Sequence, residues 1–173
     1  AHKLDEMHTI VFDKTGTLTT GEFEIAGFKI LSDELSEADF KRIVFSLEKY
    51  SNHPIAKSIS TSWKQKNEMK WKKVEEVKGI GMRSVDNNGD EYIAGSYKVA
   101  EGLTSDQSHN VYLVKNNQLL GWIDVKDEIR PEAPAVISYL QKRNIKTFLL
   151  SGDRLKNCEL LAGELGIDEV IAE

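Results

Sequence analysis

Asp13 is the residue whose setting most constrains the chemistry of this chain. The apolar, β-branched run Ile10-Val11-Phe12 reads as a strand that delivers one carboxylate to its C-terminal end. Lys14-Thr15-Gly16-Thr17 follows at once. In open α/β sheets the ligand crevice lies just beyond the carboxyl ends of the strands. A turn there, with hydroxyls at Thr15 and Thr17 and backbone freedom at Gly16, can wrap an anion with N–H donors. A carboxylate beside such a turn makes chemical sense as a nucleophile attacking phosphorus. The plain alternative is a strand closing in an Asx-type turn, where Asp, Thr and Gly are ordinary residues.

A second group is Ser151-Gly152-Asp153, which ends the apolar run Thr147-Phe148-Leu149-Leu150 and precedes a helical pattern. Two parallel strands would bring both loops to one crevice. There the Ser151 hydroxyl and nearby N–H groups, helped by the helix dipole, can bind phosphoryl oxygens. Asp153 can equally serve as a helix N-cap. A third group is Glu48, His53 before Pro54, Gly79-Ile80-Gly81 and Gly95-Ser96. Singly these are bland: a His entering a helix ahead of proline, a Gly-x-Gly strand bend, and a solvated Glu on a helix's polar side.

The elements that must hold these residues follow from periodicity. Leu18-Thr19-Thr20-Gly21 reads as a short polar link, and Phe23 to Leu31 as a strand. Ser36 offers an N-cap to a helix with the stripe Phe40, Ile43, Val44 and Leu47; Pro54 opens another carrying Ile55, Ile59 and Trp63. The lysine-rich stretch Lys64 to Lys73 reads as a solvated helix end and loop. Strands are expected over Val74–Lys78, Met82–Asp86, Glu91–Ala94, Val111–Lys115 and Gln118–Val125, with hairpin turns at Asn87–Asp90 and Asn116-Asn117. Pro131 can open a helix with Val136, Ile137 and Leu140, and a helix with Leu160, Leu161 and Leu165 leads to a last strand at Val170-Ile171. Residues 1–21 and 126–173 thus read as one parallel α/β domain, interrupted by an α+β module at 22–125 with an antiparallel sheet and a helical pair.

The 173 residues carry a formal net charge of −5, which argues against nucleic acid as the main partner. One cysteine, Cys158, excludes an internal disulfide and reads as a small buried residue on a helix. No apolar run approaches the roughly 18 residues of a membrane span, and the first residues do not resemble a signal peptide.

Asp13-Lys14-Thr15-Gly16-Thr17 resembles the phosphorylation motif of P-type ATPases, cation pumps built on the haloacid dehalogenase fold. Ser151-Gly152-Asp153 is similar to their Thr-Gly-Asp. Ser51-Asn52-His53-Pro54, with Glu48, Gly79-x-Gly81 and Gly95-Ser96, resembles the nucleotide-binding domain of the heavy-metal-transporting subfamily. Asn52 stands where that motif has Glu, and Ser96 where it has Asn. The resemblance implies an ATP-binding domain at 22–125 and an incomplete phosphorylation domain at 1–21 and 126–173. It implies that ATP phosphorylates Asp13 and that Mg²⁺ is held by Asp13 and the Thr15 carbonyl. It places Glu48 on the base, His53 as orienter of the nucleotide, Gly79 and Gly81 by the phosphates, and Gly95 lining the site.

Related phosphatases carry a second Asp two positions after the nucleophile as acid and base; here that position is Thr15, so an aspartyl phosphate should persist long enough to drive another step. Asp127 and Arg130-Pro131 are similar to a hinge between the two modules, or else simply start a helix. The family's later Lys and Gly-Asp-Gly-x-Asn-Asp segment do not occur, which implies a fragment of a larger pump. Its expected setting is the cytoplasmic side of an integral membrane protein. The expected partners are ATP, the actuator domain, the membrane helices and, through those helices, a heavy-metal cation, copper first. A capped haloacid dehalogenase-type phosphatase and a non-catalytic nucleotide-binding module are the alternatives.

Overall fold

Nine strands and four helices form the described part of the chain, in the order β1 (Thr9–Asp13), β2 (Thr19–Ile30), α1 (Glu37–Glu48), α2 (Pro54–Ser62), β3 (Trp71–Val77), β4 (Gly81–Asp86), β5 (Glu91–Gly95), β6 (Val111–Lys115), β7 (Gln118–Ile129), α3 (Ala133–Lys142), β8 (Lys146–Ser151), α4 (Leu155–Leu165) and β9 (Glu169–Ala172). A single π-helical turn, Lys14–Leu18, follows β1, and a 3₁₀ turn, Tyr97–Ala100, follows β5. The structure is a computed structural model; it describes residues 9–151 and 155–172, with only the backbone described at Thr15, Ser151, Leu155, Lys156, Asn157 and Ala172. Two compact units divide the chain: one holds the residues up to Glu22 and from Asp127 onward, the other Phe23–Lys126.

The first unit is a parallel sheet in the order β1-β8-β9. Alternation along the strands sends Phe12, Leu149 and Val170 to one face, where they meet Ala133 and Ile137 of α3 and Cys158, Leu161 and Leu165 of α4. Val11 and Ile171 are exposed on the opposite face. β8 and β9 are further tied by Asp168, whose carboxylate accepts from the Thr147 amide at 2.9 Å and hydroxyl at 3.1 Å. Those bonds hold the Asp168 carboxyl below the usual range.

In the second unit six strands lie in the order β2-β7-β6-β5-β4-β3, with antiparallel pairing from β3 through β7. Asn116 and Asn117 both have positive φ (45° and 64°), as a two-residue hairpin turn between Lys115 and Gln118 requires. Ser36 caps α1 by accepting from the Asp39 amide at 3.1 Å. The α1 stripe Phe40, Ile43, Val44 and Leu47 is buried with Ile59 of α2 and Met82, Ala94, Leu113, Leu120 and Ile123 of the sheet.

Four expectations fail. Leu18-Thr19-Thr20-Gly21 is no polar link: Leu18 and Thr19 are buried, and β2 runs from Thr19 through Gly21 at φ +89°. Its polarity is absorbed internally, since the Thr19 hydroxyl donates to the Lys14 carbonyl at 2.9 Å. Pro131 does not open a helix; α3 starts at Ala133 with Pro134 in its first turn, because β7 extends to Ile129 and Arg130 is bound elsewhere. β3 begins at Trp71, three residues before the expected start. The stretch Lys64–Lys73 is therefore not simply solvated loop, as Trp71 donates through its indole N–H to the Ser46 carbonyl at 2.8 Å.

Gly121 of β7 carries a packing constraint. A Cβ there would run into the Lys29 carbonyl oxygen and lie 2.8 Å from Cε1 of Phe40. Gly121→Ala is therefore expected to destabilise this unit by about 1–3 kcal/mol. All three tryptophans (Trp63, Trp71 and Trp122) belong to Phe23–Lys126, so a lowered urea midpoint in tryptophan fluorescence checks it.

Candidate functional site

The first group of residues gathers at the C-terminal ends of β1 and β8. Parallel pairing sets Asp13 level with Leu150, so Ser151 lies one residue beyond that level on the neighbouring strand. The backbone thus brings the ends of the two strands that precede the sequence-predicted loops to one sheet edge. Gly152 and Asp153 lie outside the described residues. Asp13 and Thr17 are exposed. Gly16 has φ +82°, which lets the π-helical turn fold back after the carboxylate.

Around this turn the charges are distributed unequally. Lys14 is buried, and its ammonium lies 2.9 Å from Oδ2 of Asp127, itself largely buried. Its position next to Asp13 in sequence therefore does not translate into a cation turned toward solvent. Arg130 grips the turn from outside: Nη2 donates to the Gly16 carbonyl at 2.9 Å, Nε to the Thr19 carbonyl at 3.1 Å, and its amide to the Leu18 carbonyl at 2.9 Å. Asp127 and Arg130 were legible only as a hinge-like or helix-start pair. Their engagement with residues more than 100 positions earlier has no local signal, apart from charged residues crowded at the end of an apolar strand.

Asp13 offers a hard oxygen donor of the kind Mg²⁺ prefers. Among the described residues no group of three His, Cys, Asp or Glu side chains is gathered around a common point. Among the described residues at this edge, the exposed Asp13 carboxylate is such a donor.

The second group lies wholly in the Phe23–Lys126 unit, around the C-terminal end of α1. Glu48 is its last residue and, contrary to the solvated reading, is only 3% exposed. Burial, followed by repulsion from Glu76 of β3, pushes its carboxyl up to about 8, so it is neutral at pH 7. A protonated carboxyl both donates and accepts, which a carboxylate cannot do. Five residues on, His53 caps α2: its Nδ1 accepts from the Ile55 amide at 3.2 Å, and its own amide donates to Ser51 Oγ at 3.1 Å. Because Nδ1 accepts, the ring proton sits on Nε2, and the ring is exposed.

The glycines divide into two kinds. Gly81 and Gly95 face each other across β4 and β5, where a Cβ on Gly81 would strike the Ala94 carbonyl and one on Gly95 the Ile80 carbonyl. Their missing side chains are needed for that backbone approach, locked by the Ser96 amide donating to the Ile80 carbonyl at 2.9 Å. Gly79 differs. It has φ +76° and nothing within 4 Å of its Cβ position, so the turn it forms stands open. α1 packs on β4 and β5, which sets Glu48 and these glycines on neighbouring elements.

A parallel sheet with an exposed aspartate and a polar turn at its carboxyl edge defines a class, and comparison with known families agrees with it. The pattern of haloacid dehalogenase-like hydrolases matches residues 7–173, and the chain belongs to that family. Its similarity extends to the catalytic region of heavy-metal P-type ATPases. It is 35% identical to a copper-exporting P-type ATPase B of Archaeoglobus fulgidus, over 97% of this chain and 26% of that protein. It is 31% identical to a zinc-transporting ATPase of Bacillus subtilis, over 99% of this chain and 29% of that protein. The chain thus spans under a third of the length of these relatives. Among solved structures, the catalytic domain of the CPx-ATPase CopB-B aligns with a TM-score of 0.76 and 25% identity, over 99% of this chain and 63% of that one. Among the described residues no helix is long and apolar enough to cross a membrane.

Two predictions follow from this geometry. Arg130→Ala removes both guanidinium bonds to the turn and leaves the main-chain bond; amide exchange across Lys14–Thr19 should accelerate about tenfold, equivalent to about 1.4 kcal/mol, a modest share of the usual worth of charge-assisted bonds. For Glu48 the sign runs against the usual carboxylate. The folded form keeps a proton that the unfolded chain releases above about pH 4.5, so stability is complete below that pH, falls as pH rises toward 8, and levels off beyond. The total is on the order of 5 kcal/mol. Glu48→Gln should flatten that decline, read as the urea midpoint by tryptophan fluorescence between pH 5 and 9.

Proposed function

We propose that this chain is the ATP-handling catalytic part of a heavy-metal cation-transporting P-type ATPase, in which ATP transfers its γ-phosphoryl group to Asp13. The observation that carries the reading is the exposed Asp13 carboxylate at the carboxyl end of a parallel strand, level with the strand that ends in Ser151, in a chain whose relatives are copper and zinc pumps by name. Asp13 is the phosphoryl acceptor; Thr17, Ser151 and the neighbouring amides receive the phosphoryl oxygens. Asp13 and the Thr15 carbonyl hold Mg²⁺, which supplies charge neutralisation between carboxylate and triphosphate. Nucleotide binding belongs to the Phe23–Lys126 unit: Glu48, as a neutral acid, meets the base edge, the Nε2–H of His53 donates to the nucleotide, and the open Gly79 turn lies by the phosphates. Gly81, Gly95 and Ser96 support that turn through their backbones.

The remaining partners on this reading are the actuator and membrane parts of the same pump, with this chain on the cytoplasmic side. Copper is the ion placed first, on the strength of the 35% identical relative. A capped phosphatase of the same family is the second reading; Thr15, where such enzymes place an acid–base Asp, speaks against it.

Acid-quenching the intact protein after exposure to γ-labelled ATP tests the proposal. Hydroxylamine-sensitive label is expected on the wild type and none on Asp13→Asn. Label absent from both, or rapid turnover of small phosphoesters by the wild type, would sink it. Titration with Mg-ATP should in parallel shift the resonances of His53 and Gly79 before those of residues outside the Phe23–Lys126 unit.

A further inference from the structure

The lysine-rich stretch 64–73 has a structure that a solvated loop does not need. One stripe of α1, the i, i+4, i+7 set Arg42, Ser46 and Lys49, fastens it along its length. Arg42 Nε donates to the Asn67 carbonyl at 2.9 Å, and Lys49 Nζ lies 2.6 Å from Oε2 of Glu68. Buried Ser46 accepts from the Met69 amide through its hydroxyl at 2.8 Å and from the Trp71 indole through its carbonyl. Met69 and Trp71 turn inward and pack against the core. Lys64, Lys66, Lys70 and Lys72 are all exposed, and none is paired with an acidic side chain among the described residues. The only acid within the stretch, Glu68, is spent on Lys49.

Edge protection does not account for this charge. β3 is an edge strand, and lysine there discourages pairing with a second copy. Lys72 and Lys73 serve that purpose; Lys64, Lys66 and Lys70 precede the strand and guard no edge. A backbone fastened from Asn67 to Trp71 loses little freedom when the lysines along it are neutralised.

We propose that the Lys64–Lys73 strap is a docking surface for an extended acidic protein segment. The charge around it selects that occupant over other polyanions. The stretch holds five lysines against one glutamate in a chain of formal net charge −5, so the surplus of negative charge lies elsewhere on the molecule. Exposed Glu75 and Glu76 follow the strap directly. At physiological salt charges interact over about 8 Å. A narrow peptide can lie on the lysines alone, whereas a flat anionic bilayer or a nucleic acid duplex also meets the acids beside them.

The probe is an eight-residue peptide of alternating glutamate and serine, titrated into the isotopically labelled protein at 50 and 300 mM NaCl. Amide shifts confined to 64–73 are expected, with affinity falling about tenfold between the two salts. The shifts should vanish in Lys64→Glu/Lys66→Glu/Lys70→Glu, whose substitutions lie outside every helix and strand. They should survive in His53→Ala, which leaves the strap untouched. Ser46→Ala, which keeps every lysine but loses the bond its hydroxyl accepts from the Met69 amide, should weaken binding severalfold. Absence of shifts, shifts that persist in the triple variant, or equal binding of phosphatidylserine vesicles or of a twelve-base-pair duplex at the same residues overturns the proposal.

Discussion

The register shared by two parallel strands holds the first candidate site together. β1 and β8 pair with Asp13 level with Leu150, and both strands release their following loops at the same edge. Side chains alternate, so a slip of one residue would turn Asp13 toward the helices and Phe12 out to solvent. Burial of Phe12, Leu149 and Val170 against α3 and α4 makes that slip costly, and Asp168 clamps β8 to β9 beside it. Once the register is set, only the loop after Asp13 remains to be placed, and Arg130 places it through the carbonyls of Gly16 and Thr19.

The second candidate site rests on a different constraint, the end of an apolar stripe. Leu47 is the last core residue of α1, and Glu48 follows it into the same buried surroundings. There a carboxylate meets low dielectric, the negative end of the helix dipole and Glu76, all of which favour the neutral acid. The adjacent connection is short and committed, since Ser51 and His53 spend side-chain acceptors on capping α2. The Gly81–Gly95 contact fixes the neighbouring strands just as tightly. The Gly79 turn and the outward edge of His53 stand open beside it.

Local pattern was sufficient wherever an element's own residues decide its structure. The Ser36 cap, the α1 stripe, the asparagine hairpin and the parallel strand–helix–strand order all express propensity and periodicity at short range. Sequence reasoning fell short where a partner more than 20 residues away decides. Thr19 looks polar, yet it is buried, and its carbonyl accepts from the guanidinium of Arg130, 111 positions on. Trp71 looks like loop because lysines surround it, yet Ser46 draws it into β3. Arg130 follows the end of a strand, and nothing nearby announces that its guanidinium binds a turn near residue 16. The glycines were legible as special positions but not as two kinds, because their difference lies in what faces each missing side chain.

On the proposed reading, the same fastening that orders the first loop also bears on how long a phosphoryl group would stay on Asp13. Hydrolysis of an acyl phosphate is fast when a base activates water beside it. Of the ionisable side chains at this turn, Lys14 and Asp127 are held against each other, and Arg130 is an obligate cation bound to carbonyls. The Asp127 carboxylate is engaged by the Lys14 ammonium at 2.9 Å. The positive charge of Arg130 meanwhile stabilises added negative charge near the turn without being able to deprotonate water. Among the described residues, Lys14, Asp127 and Arg130 are bound to the loop or to each other, and that fastening orders the turn after Asp13.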